Sequence, residues 1–270
     1  MSQENFKRYE KKYLLEQSQY EQLREAINSK MKEDQYGVHT IGNIYYDTQS
    51  YELIRCSLDK PVYKEKFRVR SYGTPGAQDK VFLEIKKKYQ GIVYKRRAQI
   101  KLQEVEEQLK NTLEESSGAK DLGTNNQIMN EIHWFFKMYH PDPKVYIAYD
   151  RLALSGIDEE ELRVTFDWNL RWRNYDLNLS LGDYGEMILD KPKVLMEIKI
   201  PGTMPLWMAE VLTDLKIYPI SFSKYGTCYQ KNLADGNIND TTEISEISET
   251  SETKNRAHIS GGKKLCLAVS

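Results

Sequence analysis

The feature that most constrains the fold is an alternation of charge in residues 62–73, VYKEKFRVRSYG. Successive side chains of a β-strand point to opposite faces. One face of this strand would therefore carry four cations in a row: Lys64, Lys66, Arg68 and Arg70. The opposite face would carry Tyr63, Glu65, Phe67 and Val69. Because neighbouring like charges repel each other, the cationic face requires water, acidic side chains or an anionic ligand beside it.

The same alternation recurs in other parts of the chain. It appears in KVFLEIKKK (80–88), IVYKRRAQIKL (92–102), LRVTFDWNL (162–170) and KVLMEIKI (193–200). With the β-branched and aromatic runs near 6–15, 39–48 and 144–154, this predicts roughly seven or eight strands in a mainly antiparallel sheet, closed or nearly closed into a β-barrel. Helical spacing of apolar residues predicts helices between the strands, and the S-x-x-E pattern of Ser18 and Glu21 predicts the first of these. We expect an α+β fold, a mainly antiparallel closed β-barrel with helices packed outside.

The charge is distributed unevenly along the chain. Residues 60–101 contain thirteen basic and three acidic residues, whereas residues 235–252 contain six acidic residues and no basic one. The polar and acidic segment 234–270 buries too little apolar surface to fold, so we expect one folded domain over 1–233 and a disordered tail over 234–270. The N-terminal MSQENFKRYEKK lacks the apolar core of a signal peptide, and no run is long enough to be an intrinsic membrane segment. These features predict a cytoplasmic protein.

Two interpretations of the cationic strand faces remain open from the residues alone. They could be the solvated outer face of an ordinary sheet whose apolar face meets the core. Alternatively, helices could cover the apolar outside of a barrel and leave the cations inside. The strands are rich in arginine, which suits phosphate, and carry few acids to balance it. An enclosed cationic cavity of this kind would bind a polyanion such as a chain of phosphates.

Eight short motifs extend this interpretation. In chain order they are EKKY (10–13), KFRVRSYG (66–73), FLEIKKK (82–88), YKRRAQI (94–100), YDRLAL (149–154), RVTFDWNLRWR (163–173), LMEIKIPG (195–202) and SFSKYGT (221–227). Over roughly residues 6–232 the sequence resembles bacterial VTC domains. These are polyphosphate polymerase domains related to the catalytic core of the vacuolar transporter chaperone, within the triphosphate tunnel metalloenzymes.

The resemblance implies a set of site residues. The tunnel cations that would act on the nucleotide triphosphate and the growing chain are Lys12, Arg68, Arg70, Lys86, Lys95, Arg151, Arg163, Lys199 and Lys224. Glu197 matches the carboxylate that holds a divalent metal, either Mn²⁺ or Mg²⁺. Substrate contacts are implied for Tyr149, Glu10, Arg97 and Ser221. Ser221 departs from the eukaryotic polymerase, which has a lysine at that position.

The activity implied by the resemblance is transfer of the terminal phosphoryl group of ATP to a polyphosphate chain, with release of ADP. The expected partners are therefore ATP and polyphosphate, and the identity of any protein partner is left open. Two alternatives use the same tunnel: a triphosphatase or polyphosphatase, and a catalytically silent module that binds polyphosphate. Nucleic-acid binding by the basic block is the weakest alternative, because it requires exposed aromatics regularly interleaved with outward-facing cations.

Overall fold

A computed structural model describes residues 9–90, 92–110, 123–189 and 192–234 of the chain. Within them lie ten strands. They are β1 (Tyr9–Leu15), β2 (Met31–Glu33), β3 (His39–Asp47), β4 (Tyr63–Tyr72), β5 (Lys80–Tyr89), β6 (Ile92–Lys101), β7 (Asp142–Gly156), β8 (Arg163–Arg173), β9 (Glu186–Met187) and β10 (Val194–Ile200). The helices of this part of the chain are α1 (Gln17–Ile27), α2 (Glu52–Leu58), α3 (Val105–Lys110), α4 (Gly123–Tyr139), α5 (Leu206–Asp214) and α6 (Lys224–Cys228). The tail predicted over 234–270 lies, from residue 235 onward, outside the described residues.

The strands form one antiparallel sheet, as the sequence predicts. Its order is β1-β10-β8-β7-β3-β4-β5-β6, with β2 beside β7 and β9 beside β8. The α+β class with a mainly antiparallel sheet is confirmed. Among the described residues, however, no ladder of hydrogen bonds joins the two end strands, β1 and β6. The barrel is therefore not closed by strand pairing in this part of the chain.

The segment that precedes α6 links strands from distant parts of the sheet. The Ile220 amide donates to the Lys12 carbonyl at 2.7 Å, which places this segment beside β1. Farther along, Ser223 accepts a hydrogen bond from the Lys66 ammonium of β4 at 3.4 Å. These contacts join β1 to β4 through the loop before α6, so side-chain and loop contacts take the place of a β1–β6 ladder.

Helices cover the apolar outer face of the sheet. One apolar cluster joins strands β1, β7, β8 and β10 to α1 and α5, with Leu23, Phe166 and Met208 among its buried members. A second joins strands β4, β5 and β6 to α3 and α4, around Phe67 and Phe135. This arrangement confirms helices packed outside the sheet. A third apolar cluster, which includes Ile147 and Tyr225, lies on the inner face beside many of the charged side chains of the strands.

The start of α1 differs from the sequence-based expectation. The helix begins at Gln17, and the Gln19 side chain accepts a hydrogen bond from the Glu16 amide at 3.1 Å. The capping box predicted from Ser18 and Glu21 is therefore wrong, because the chain turns into the helix directly after β1 ends at Leu15.

Two short helices that the sequence pattern did not predict border the inner side of the sheet. The Asp47 carboxylate at the end of β3 accepts the amides of Leu53 and Ile54 in α2 at 2.9 and 3.0 Å. It also accepts the Tyr225 hydroxyl of α6 at 2.9 Å. Tyr225 stacks on Tyr45 with ring centroids 4.9 Å apart. These contacts fix α6 so that its first residue, Lys224, is buried.

None of the helices in the described ranges is long and apolar enough to cross a membrane.

Candidate functional site

Strand register places the predicted site residues of the sheet on one continuous inner surface, which we call the tunnel face. Three cross-strand rows show this: Glu10–Lys199–Arg163, Lys12–Glu197–Thr165 and Arg68–Glu84–Arg97. In addition, Arg70 lies opposite Asn43, and Arg151 lies opposite Asp167. Burial lowers the pKa of Lys86 of β5, and the charges of Glu10 and Lys12 of β1 also act on it. Strands far apart in the sheet order therefore contribute to one site.

Glu84 is the centre of one charge cluster on the tunnel face. Its buried carboxylate accepts Arg68 Nε at 2.8 Å and lies 2.7 Å from Arg68 Nη2 and from Lys95 Nζ. Arg70 Nε is 3.6 Å away. Burial favours the neutral acid, but the surrounding cations outweigh it and lower the pKa of Glu84 to about 2. Glu84 therefore stays ionised and holds Arg68 in a fixed orientation.

Asp167 is the centre of a second cluster, which sequence reasoning missed. Its fully buried carboxylate binds Arg151 through two hydrogen bonds of 2.6 and 2.7 Å. It also accepts the Lys224 ammonium at 2.6 Å. Burial acts to raise the pKa of Asp167, but Lys224 and Arg151 lower it overall. The signal was present in the sequence, because Asp167 follows Arg163 by four positions and shares its strand face.

Glu197 lies between three cations on the tunnel face. Its oxygens are 3.4 Å from Lys12 Nζ, 3.7 Å from Lys224 Nζ and 4.0 Å from Arg151 Nη2. The Lys12 ammonium is also 3.5 Å from Glu10 Oε1. Although burial opposes it, the charges of Lys224, Lys12 and Arg151 hold the pKa of Glu197 well below its usual range. Glu197 is thus an ionised carboxylate on the tunnel face, with oxygens of the kind that coordinate a metal ion.

The donor set limits the kind of metal site that is possible here. The described residues contain no group of three or more His, Cys, Asp or Glu side chains that could hold a metal ion by themselves. Mg²⁺ and similar hard cations are commonly held by one or two carboxylates, with substrate phosphates and water completing the shell. Glu197, with Glu10 nearby across Lys12, fits that second arrangement. The site suits a metal that is shared with a phosphate substrate.

Tyr149 is buried among the cations of the tunnel face. Its hydroxyl accepts Arg70 Nη2 at 3.3 Å, and Lys224 Nζ lies 4.3 Å from the ring centroid. Burial acts to raise the pKa of Tyr149, but Arg70, Arg151 and Lys224 outweigh it and lower the pKa to about 8. Asn43, another residue that the sequence did not single out, accepts Arg70 Nε at 3.0 Å. Tyr149 and Asn43 therefore both hold Arg70 in place.

A comparison with protein families matches residues 7–233 to the VTC domain. The chain belongs to the VTC domain family. The match confirms the family that the eight motifs indicate. A search among curated proteins gives no match.

The solved structures that resemble this VTC domain include two putative cyclases. One is a putative adenylyl cyclase from Hippeastrum, described as having a dominant triphosphatase activity, with a TM-score of 0.48, 17% identity, and coverage of 83% of this chain and 96% of the other. The other is a putative adenylate cyclase from Vibrio parahaemolyticus, with a TM-score of 0.42, 8% identity, and coverage of 82% and 96%. Both scores are low, so the assignment depends on the family match.

The remaining predicted residues of the VTC domain lie at more open positions. Arg163, Lys86, Lys95 and Arg97 are exposed, and Lys199 is half-buried. They are nevertheless on the tunnel face, and the Arg97 guanidinium packs 4.5 Å from the Phe82 ring centroid. Ser221 is exposed in the loop before α6, and the described part of the chain shows no hydrogen bond from its side chain to the tunnel face. The structure thus brings together all the predicted site residues except Ser221.

Proposed function

We propose that this VTC domain, formed by residues 1–233, is an ATP-dependent polyphosphate polymerase. It would transfer the terminal phosphoryl group of ATP to the end of a polyphosphate chain and release ADP. One observation carries the proposal. Buried carboxylates on the tunnel face hold arginines in fixed orientations, while further cations of the same face are left to bind an anion.

Phosphoryl transfer needs mainly positioning and neutralisation of charge. Donors that are already oriented before the reaction stabilise developing charge without a cost of reorganisation. Arg68 is oriented by Glu84, and Arg151 by Asp167, through hydrogen bonds of 2.6–2.8 Å. These guanidiniums are suited to the non-bridging oxygens of the triphosphate, to which arginine can donate two parallel hydrogen bonds.

The acceptor does not require a strong general base. A terminal phosphate has a second pKa of about 6, so it is largely ionised near neutral pH. The buried carboxylates Glu84, Asp167 and Glu197 have lowered pKa values because cations surround them, so they are poor proton acceptors. Without a basic carboxylate to activate water, attack by a phosphate is favoured over hydrolysis.

A divalent cation, Mn²⁺ or Mg²⁺, would supply further neutralisation of the phosphate charge when bound. Glu197 would hold it, with Glu10 close enough to contribute. In the structure the Lys12 ammonium is 3.4–3.5 Å from both of these carboxylates. Lys12 therefore holds the two acids beside each other on the tunnel face.

The test is incubation of the purified protein with ATP and Mn²⁺, with ADP measured and polyphosphate detected on a gel. We expect ADP and lengthening chains. An Arg70→Ala variant should lose synthesis, because Arg70 lies at the centre of the site beside Tyr149. Lys11→Gln is the matched control, since Lys11 is exposed and lies on the opposite face of β1 from Lys12.

Three results would contradict the proposal. Release of free phosphate without chain growth would identify a triphosphatase or polyphosphatase. Binding of polyphosphate without turnover would identify a silent binding module. Synthesis that is unchanged in Arg70→Ala would show that the reaction does not occur on the tunnel face. The predicted partners, ATP and polyphosphate, are tested by the same assay, and the cytoplasmic location stays a prediction.

A further inference from the structure

A group of lysines on the tunnel face lacks the acidic partners found elsewhere in the site. In β4 and β5, Lys66 lies directly opposite Lys86, and Lys64 lies directly opposite Lys88. Like charges in directly opposite positions of an antiparallel pair destabilise the sheet. The next pair on the same face of this ladder, Arg68 opposite Glu84, is balanced. We call Lys64, Lys66 and Lys88 the lysine track.

Two of the three track lysines contact neutral oxygens, and Lys88 is exposed. Lys64 Nζ donates to the Ser57 carbonyl of α2 at 2.9 Å, and Lys66 Nζ donates to Ser223 Oγ at 3.4 Å. Within the described ranges, no carboxylate forms a salt bridge with Lys64, Lys66 or Lys88. Asp47 acts on Lys66 through its charge but forms no salt bridge with it. The lysine track is thus a concentration of positive charge without an ion-pair partner among the described residues.

The arginines held by carboxylates and the lysines of the track differ in shape and flexibility, and this difference suits them to different ligands. Arg68 and Arg151 are rigid, planar groups held by carboxylates, which suits a triphosphate in one orientation. The track lysines are point charges on flexible stems, which can follow an anion in many registers. Lys64 and Lys88 lie about 4.8 Å apart across the two strands, and Lys64 and Lys66 lie about 6.8 Å apart along β4. Such a grid is suited to a flexible chain of repeated negative charges.

We propose that Lys64, Lys66 and Lys88 form a second phosphate subsite, which holds the polyphosphate chain beyond the reaction centre, where α2 and α6 border the tunnel. The inference rests on the proposed function, and it assigns these residues to the long-chain substrate alone. The nucleotide triphosphate is bound by the arginine clusters. The subsite therefore determines how the affinity for polyphosphate depends on the length of the chain.

The test uses the full chain with all three track lysines changed to glutamine, and it measures binding without catalysis. Tripolyphosphate and a long-chain polyphosphate are titrated at several salt concentrations at pH 6, where all three lysines are protonated. We expect the Kd for tripolyphosphate to change less than about twofold, and the Kd for the long chain to rise by about an order of magnitude. The slope of log Kd against log salt for the long chain should fall by about 2, because each phosphate that is no longer neutralised lowers it by about 0.7. The Lys11→Gln control should match the parent protein.

Several outcomes would overturn the assignment. Equal weakening of tripolyphosphate and long-chain binding would place the track within the triphosphate site. No weakening of either would show that the track binds no phosphate. An equal loss for a single-stranded oligonucleotide of similar charge would make the track a general polyanion surface. If the parent protein binds neither phosphate ligand, the proposed function itself fails, and that result is distinct from a failure of the track alone.

The variant must also be shown to fold. Removing opposed like charges should leave the thermal midpoint equal to or above that of the parent, because the lysines repel each other. Single variants at Lys64 and Lys88 provide a second measurement, and each should produce part of the change in salt slope.

Discussion

The most direct test of the site's electrostatics is the change Asp167→Asn. Asparagine keeps the shape of the side chain and one carbonyl oxygen but removes the negative charge. In the native protein the carboxylate accepts three hydrogen bonds, two from Arg151 and one from Lys224, all between 2.6 and 2.7 Å. In the variant these two buried cations would face the amide group of Asn.

The expected loss of stability follows from those contacts. Removing one partner of a buried ion pair costs about 3–5 kcal/mol, because the remaining charge is left uncompensated. Arg151 and Lys224 still have Glu197 at 4.0 and 3.7 Å, which places the expected loss at the lower end, about 3 kcal/mol. This is a large share of the roughly 5–15 kcal/mol by which a typical domain is stable.

Binding and catalysis should change in opposite directions. A site with one negative charge fewer attracts tripolyphosphate more strongly, so its Kd should fall. Loss of the fixed Arg151 orientation should slow phosphoryl transfer, because an oriented donor is needed in the transition state. We therefore expect a lower KM together with a lower kcat, and a larger rise in thermal midpoint on adding tripolyphosphate than in the parent protein.

The assay is urea and thermal unfolding with and without tripolyphosphate, followed by steady-state kinetics with ATP. Asp183→Asn is the matched control, because Asp183 also pairs with an arginine, Arg171, but is about half exposed, at 46%. We expect it to cost less than about 1 kcal/mol and to leave phosphate binding unchanged. If Asp167→Asn is no less stable than Asp183→Asn, or if tripolyphosphate stabilises both variants equally, Asp167 does not hold the two cations as described.

Three further predictions concern pH. Glu84 has a folded-state pKa of about 2, below its unfolded value of 4.5. It therefore contributes about 3 kcal/mol to the free energy of unfolding above pH 5, and this contribution is lost as the pH falls towards 2. In a plot of stability against pH, Glu84→Gln should flatten this acidic part of the curve. The Tyr149 phenol has a pKa of about 8, so its ionisation should be visible by ultraviolet difference spectroscopy between pH 7 and 9. Bound tripolyphosphate should raise this pKa, because its negative charge disfavours the phenolate. An unchanged pKa would show that the phosphate binds elsewhere. Burial and nearby lysines lower the pKa of Lys66 to about 7, so Lys66 loses its charge as the pH rises from 7 to 9. Binding of long-chain polyphosphate should weaken over this range. Lys66→Arg should reduce the pH dependence, because arginine stays charged.

The strands illustrate how much of the fold the sequence could predict. Period-two alternation in KFRVRSYG and FLEIKKK is enough to assign strands and to separate their two faces. The helices α2 and α6 were missed because they are only seven and five residues long. Contacts made across the fold stabilise them, such as Asp47 with the α2 amides and with Tyr225. Local sequence patterns do not encode such long-range contacts.

The candidate site shows the same division. The motifs supplied the cations and Glu197, but they did not indicate that Asp167 is the partner of both Arg151 and Lys224. Those groups are 16 and 57 residues away from Asp167 in the chain. The sequence also could not show that the end strands β1 and β6 remain unpaired among the described residues. Whether the two end strands of a sheet pair depends on how strongly the whole sheet curves.

The sequence by itself determined the family, the antiparallel strands and the charged face of each strand, because these depend on residue type and on spacing along a single strand. Only the tertiary structure decided which cations are held by acids and which, like Lys64 and Lys66, form no salt bridge among the described residues. The reason is physical: the energy of a charge depends on its neighbours in space, and those neighbours come from strands that are distant in the chain.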